Sequence, residues 1–168
     1  GGRHSVVLGS EGRSARGTTE ELAFGASGPT ARLEAGGRRR TLGAFASSHL
    51  HLDARWTLTL GGRLDHWLIA DGQSLSQPLA PPGNELVLSF PERTETAFSP
   101  RAGLLYPLRP RVSLSAAAYR AFRAPTLNEL YRGFRVGNVV TQANPSLRAE
   151  RLTGVEASVR VAPAADAE

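Results

Sequence analysis

Cysteine and methionine are both absent from this chain of 168 residues, and each of its 20 basic residues is an arginine. Without cysteine there is neither a disulfide framework nor a thiolate metal site. The missing methionine, with an opening Gly1-Gly2-Arg3 that has no charged and then apolar leader, suggests an internal fragment without a signal peptide. No window supplies the roughly 18 apolar residues of a transmembrane helix. That leaves a membrane barrel open, because a barrel strand needs only about 9–11 residues, half of them facing a wet interior. The net charge of +5 would permit nucleic acid as a partner. However, the arginines are scattered, with one run at Arg38-Arg39-Arg40 and no stripe of interleaved aromatics, so nucleic acid is excluded. Catalysis also lacks a footing: there is no nucleophile elbow, phosphate-cradling glycine loop or HExxH. Glu20-Glu21 is an adjacent pair with nothing to hold two carboxylates apart. The sequence therefore predicts a protein that is not an enzyme and needs no cofactor.

What the sequence does contain is alternation. Trp56, Leu58, Leu60 and Leu64 oppose Thr57, Thr59, Arg63 and Asp65; Val112, Leu114, Ala116 and Ala118 oppose Ser113, Ser115, Ala117 and Tyr119. The same period of two runs through 41–51, 98–106 and 153–161, and more weakly through 4–13. Period two with branched and aromatic residues marks half-buried strands. The fold class expected is all-β: about six antiparallel strands of a transmembrane β-barrel.

The connections alternate in length. Leu52-Asp53-Ala54-Arg55 and Pro107-Leu108-Arg109-Pro110 are short, whereas 14–37, 68–95 and 125–149 are long and polar. Short turns on one side and long loops on the other are the asymmetry of outer-membrane barrels. The strands near 4–13, 56–67 and 112–123 then run outward, and those near 39–51, 97–106 and 151–162 return. Arg40 and Arg120 fall on the apolar parity, at the predicted extracellular ends, where the side chains can snorkel to headgroups. Pro100 is expected near a strand start, where a missing donor is tolerated. Trp56 and Tyr106 at one end, with Trp67 and Phe98 at the other, are expected to form interfacial girdles.

The most specific stretch is Phe122-Arg123-Ala124-Pro125-Thr126-Leu127-Asn128-Glu129-Leu130-Tyr131, followed by Asn144-Pro145-Ser146-Leu147-Arg148-Ala149-Glu150. Ala124-Pro125 stops a ladder, Thr126 and Glu129 form a capping-box pattern, and Asn144-Pro145 initiates a turn. In wording and spacing this stretch resembles the FRAPT…ELY…NPxLxPE signature of the TonB-dependent outer-membrane receptors. Gly43-Ala44-Phe45, Gly62-Arg63-Leu64-Asp65 and Ser99-Pro100-Arg101 are similar to further phrases of that family. One departure is Ala149, where the signature has proline.

The resemblance implies that residues 1–168 are part of one receptor barrel in the outer membrane of a Gram-negative-type bacterium. A plug domain and TonB box would lie before Gly1, and the closing strand beyond Glu168. It further implies uptake of a nutrient chelate, such as a ferric siderophore or cobalamin. The partners would be outer-membrane lipid, the plug of the same polypeptide, the TonB complex and the chelate.

Within that frame Phe122, Arg123, Ala124, Pro125, Thr126, Glu129, Leu130, Tyr131, Asn144, Pro145, Leu147 and Glu150 are expected to shape the barrel rim. Arg63, Asp65, Arg101, Glu156 and Arg160 are expected to face the lumen. Tyr131, Phe134 and Arg135 form an aromatic and cationic set that could contact ligand. His49 and His51 share a face, but no third ligand joins them, so no metal site is expected. Two other readings remain at this stage. One is a passive porin-like outer-membrane barrel; the other is a soluble secreted β-rich binding module, in which Leu58 and Leu104 would lie in a protein core.

Overall fold

The computed structural model describes residues 4–137 and 139–163, with the side chains of Arg135 and Val136 outside the description. Six long strands form the body: β1 (His4–Gly25), β2 (Gly28–His51), β3 (Thr57–Pro78), β5 (Arg93–Arg109), β6 (Val112–Arg123) and β9 (Glu150–Val161). They pair antiparallel in that order, and β4 (Leu86–Phe90) adds to the far end of β3. Between β6 and β9 lie a one-turn helix, α1 (Leu127–Tyr131), and a small hairpin of β7 (Phe134–Val136) and β8 (Val139–Thr141). The sheet is open, with β1 and β9 at its edges.

Two of the three expected long loops are strand instead. Residues 14–37 continue β1 and β2 into a hairpin paired as far as Gly25 and Gly28, and 68–95 carry the continuations of β3 and β5 together with β4. The physical reason is twofold. Beyond the apolar band the outward face meets polar surroundings, and a bulge between Gly36 and Arg38, beside Asp71 at a φ of 54°, breaks the period of two, so alternation disappears while the backbone pairing persists. Glycine and serine content then mimics a loop. The segment 125–149 keeps its loop character.

The turns at the opposite end are short, as expected. At 52–56, Leu52 N–H donates to the Trp56 carbonyl at 2.9 Å, and the Asp53 carboxylate accepts from the amides of Arg55 and Trp56 at 2.7 and 2.8 Å. Those two bonds, the Arg55 one foremost, hold the Asp53 carboxyl below its ordinary value. Pro100 corrects the expectation of a strand start: it lies inside β5, opposite Gly62 of β3, and is tolerated because the ladder from β5 to β6 begins only at Arg101, immediately after it.

The two faces of the sheet differ in kind. One carries Leu8, Leu42, Leu64, Phe98, Val155 and Val159, all exposed. Leu58 and Leu104, which a soluble module would bury, are directly paired neighbours and only half-buried. On the other face, the described core gathers at the long end: Trp67, Ile69, Ala97, Leu130 and Tyr131 pack together beneath α1. Trp67 therefore corrects the girdle expectation. It shares the odd parity of Arg63 and Asp65, lies inside at 1% exposure and stacks on Phe122 at 5.1 Å. Trp56 and Tyr106 do meet, at 4.5 Å, beside the short turn.

Candidate functional site

The signature segment grows out of the end of β6. Ala124-Pro125 ends the ladder, and Arg39 donates to the Pro125 carbonyl at 3.2 Å, fixing where the chain leaves the sheet. Thr126 then caps α1: its hydroxyl accepts from the Glu129 amide at 3.2 Å, while the Glu129 carboxylate accepts from the Thr126 amide at 2.8 Å. The capping box expected from sequence is thus formed. The helix is one turn long, so its stability comes from docking rather than propensity. Leu130 is fully buried and Tyr131 nearly so, with the tyrosine ring stacked 5.0 Å from Phe90. Room for that ring comes from Gly72 and Gly37, where any side chain would press on Tyr131.

Arg123 ties three pieces together. Its guanidinium donates to Glu129 at 3.0 Å and to Glu150 at 2.7 and 2.9 Å, joining the outgoing strand, the helix cap and the returning strand. Its two carboxylate partners, Glu150 first, raise the Arg123 pKa further. The Thr126 amide and then Arg123 hold Glu129 below its ordinary 4.5, and Arg123 does the same for Glu150. Both pKa values are depressed in the folded state. Their contribution is therefore present above the unfolded value and is lost as pH falls through the folded one. In the intact receptor, exchange of the Glu129 amide, corrected for intrinsic rate, should stay flat from about pH 6 to pH 8 and accelerate below about pH 4. Glu129→Gln, which retains a capping side chain but no charge, should flatten that response; an unchanged profile would remove the ion pair from the account.

The loop returns through Asn144, whose amide donates to the Glu129 carbonyl at 3.1 Å and whose side chain accepts from Ser146 at 3.0 Å. Arg93 clasps the next turn, donating to the Pro145 carbonyl at 2.6 Å and also to that of Leu147. Ala149, where the signature has proline, donates its amide to Glu95 at 3.3 Å. A proline could not make that bond, so the exit is held by the Arg93–Glu95 pair. Sequence reading missed both residues, together with Gly37 and Gly72, because their partners are distant in the chain.

Away from α1, the face opposite the exposed apolar row is ionic. Arg63 binds Asp65 at 2.6 Å and Glu11 at 3.0 Å, and Asp65 is buried. Glu156 accepts from the Tyr119 hydroxyl at 2.7 Å rather than pairing with Arg160. Arg101 sits across β3 from Gly61 and across β6 from Tyr119, while Arg160 faces Ser113. His49 bonds the Thr59 hydroxyl at 3.0 Å. Among the described residues no group of three or more His, Cys, Asp or Glu is placed to hold a metal.

A cavity of about 420 Å3 opens between the inner faces of β2 to β4 and the α1–β8 segment. Leu33, Leu86, Leu88 and Phe134 give it an apolar wall, and Arg132, paired with Glu21, lies against the Phe134 ring 5.8 Å from its centre. Of the three expected ligand contacts, Phe134 lines this cavity and is partly exposed. Tyr131 also borders it, but is packed into the core with burial raising its pKa. The side chain of Arg135 lies outside the described residues.

A family described as TonB dependent receptor-like, beta-barrel, matches residues 1–166. A search among curated proteins finds no match. Among solved structures, the chain is similar to the ferric yersiniabactin uptake receptor FyuA from Yersinia pestis. That likeness has a TM-score of 0.72 at 14% identity, covering 98% of this chain and 24% of that one. At this identity it concerns the fold, and this chain spans about a quarter of that receptor's length. The open antiparallel sheet, with an exposed apolar row on one face and ion pairs on the other, agrees with the family match: the chain belongs to the TonB-dependent receptors, as β-barrel.

Proposed function

We propose that this chain is one stretch of wall in a single outer-membrane barrel domain that takes up a nutrient chelate under TonB control, the plug domain and the rest of the barrel lying outside residues 1–168. The observation that carries this reading is the two-faced sheet. An uncovered apolar row including Leu42, Leu64, Phe98 and Val155 backs directly onto the Arg63–Asp65–Glu11 network. A soluble protein buries such a row, whereas a barrel turns it to lipid and turns the charges to its lumen. The long end with α1 and the β7–β8 hairpin is then extracellular, and the 52–56 turn periplasmic.

In this reading the plug of the same polypeptide sits against the inner wall at Arg63, Asp65, Arg101, Glu156 and Arg160. The signature residues Phe122–Tyr131 and Asn144–Glu150 are chiefly architecture, since each has a structural partner or a turn role. The chelate is of the ferric-siderophore or cobalamin kind. Support for a siderophore comes from FyuA, an uptake receptor for ferric yersiniabactin, and from the cavity beside Phe134, whose apolar wall suits a partly aromatic ligand. The test uses the full-length receptor in its own outer membrane, following uptake of labelled ferric siderophores and cobalamin with and without TonB. Uptake of a chelate that disappears without TonB is the expected result; uptake unchanged by loss of TonB would favour a passive barrel.

A further inference from the structure

Beyond Arg101 the sheet changes on its β6 side. The ladder from β5 to β6 stops at Arg101 and Tyr119, and β6 itself leaves the sheet at Arg123. β4 and β5 lie on the same side of β3, β5 reaching as far as Ile69 and β4 starting at Gly72. The place beside β4 in strand order therefore belongs to β6, which ends before reaching it. β6 pairs next with β9, so further barrel strands would follow beyond the edges at β9 and β1 and not here.

Proline, charge and covering loops protect sheet edges against added strands. The β5 part of this edge has all three. It carries Pro100, and Arg93 and Glu95 hold the 145–149 turn to it through the carbonyls of Pro145 and Leu147 and the amide of Ala149. β4, with the sequence Leu86-Val87-Leu88-Ser89-Phe90, has none of them. Among the described residues its backbone pairs with β3 alone, and no hydrogen bond outside that ladder reaches residues 86–90. Leu86, Val87 and Leu88 are 58%, 51% and 48% exposed. Leu86 and Leu88 share the inner face with their partners Ser76 and Ser74, and they form the last strand in the wall of the 420 Å3 cavity. Charge near this wall is settled internally, Glu21 with Arg132 and both Glu20 and Glu34 with Arg32.

We propose that β4 is a strand-addition site, where an extended, uncharged peptide pairs with the free edge and turns alternate apolar residues toward the Leu86–Leu88 side of the cavity. Only an extended polypeptide offers donors and acceptors in the repeat that a strand edge presents, at a distance of about 4.8 Å. Its backbone supplies the affinity, and its alternate side chains supply the selection. The five residues of β4 set the paired length, and the internally paired charges explain why the peptide is uncharged. The site goes beyond the chelate reading and can fail while that reading stands.

The test takes the full-length receptor in detergent micelles and measures, by fluorescence anisotropy, binding of a labelled, end-blocked hexapeptide of alternating threonine and valine. Two derivatives accompany it, one N-methylated at every valine and the other at every threonine. The apolar alternation fixes which side chains face inward, so only one set of amides can donate to β4. One derivative should bind within about twofold of the parent, and the other should lose at least about tenfold, having lost its ladder bonds. Leu88→Asn makes the inner wall polar and should weaken the parent about tenfold. Leu22→Asn, at an exposed apolar position on the outward face of β1, should leave binding unchanged. Native electrophoretic mobility without heating marks each variant as a folded barrel, and chelate uptake by the same receptors is followed separately. Equal binding of the two methylated forms, equal loss in both, or parent binding unaffected by Leu88→Asn would overturn the site. So would receptor dimers that form in place of peptide binding and vanish in Leu88→Asn, which would assign the edge to a second copy.

Discussion

Leu60→Arg is expected to destabilise the receptor by about 2–4 kcal/mol in a bilayer, while Thr94→Arg, on the same face beyond the apolar band, costs about 0–1 kcal/mol. Leu60 lies midway between the Trp56 turn and His66, and its cross-strand partners are Ser48 and Ala102. In water an arginine at this 43% exposed position would be nearly neutral, as surface substitutions are. In hydrocarbon the guanidinium has no water to bind and lies too far from either interface to reach headgroups. Depth, rather than packing, sets the magnitude, and Leu60→Ala separates the two by removing the contacts without adding charge. Guanidinium unfolding of the full-length receptor in lipid vesicles measures all three. If Leu60→Arg costs no more than Thr94→Arg, the face carrying Leu60 does not meet lipid.

How much could be read in advance follows from what surrounds each residue. Between Trp56 and His66 one face meets apolar and the other polar surroundings, so parity is written directly into the residues, and the strands there are found at their proper positions. From Leu68 to Pro78 the outward face no longer meets an apolar surrounding and the bulge beside Asp71 shifts the parity, so a paired strand reads as a polar loop. The capping box of Thr126 and Glu129 was legible because it is local, with both partners three residues apart. The clasp of Arg93 on Pro145 and Leu147 was not, since it joins positions more than fifty residues apart in sequence. Trp67 could have been placed correctly: three residues after Leu64, it falls on the opposite face. An aromatic near a strand end was read as girdle when its parity already said interior.

That interior tryptophan sets the second large effect. Trp67 is almost fully enclosed, with the Phe122 ring parallel to it at an interplanar angle of 2° and Leu130 of α1 in the same cluster. Truncating it to alanine leaves a cavity that a sheet held by backbone ladders on both sides cannot collapse to fill, and should cost about 3–5 kcal/mol; Leu130→Ala should cost about 2–5 kcal/mol. The two side chains share one cluster, so the double variant should cost less than the sum. The loss falls on the rim and not on the membrane band, because the outward rows of Leu58 to Leu64 and Val155 to Val161 make no contact with this cluster. Trp67→Ala should therefore still reach the outer membrane as a heat-modifiable barrel. Its 125–149 segment, however, should be cut far faster by protease, and binding of the chelate identified by uptake should weaken. Trp67→Phe keeps a ring for Phe122 to stack on and should recover most of the protection. An alanine variant as protease-resistant as the wild type would show that α1 is held by the Arg123 and Arg93 contacts alone, and that the buried aromatic pair is dispensable to the rim.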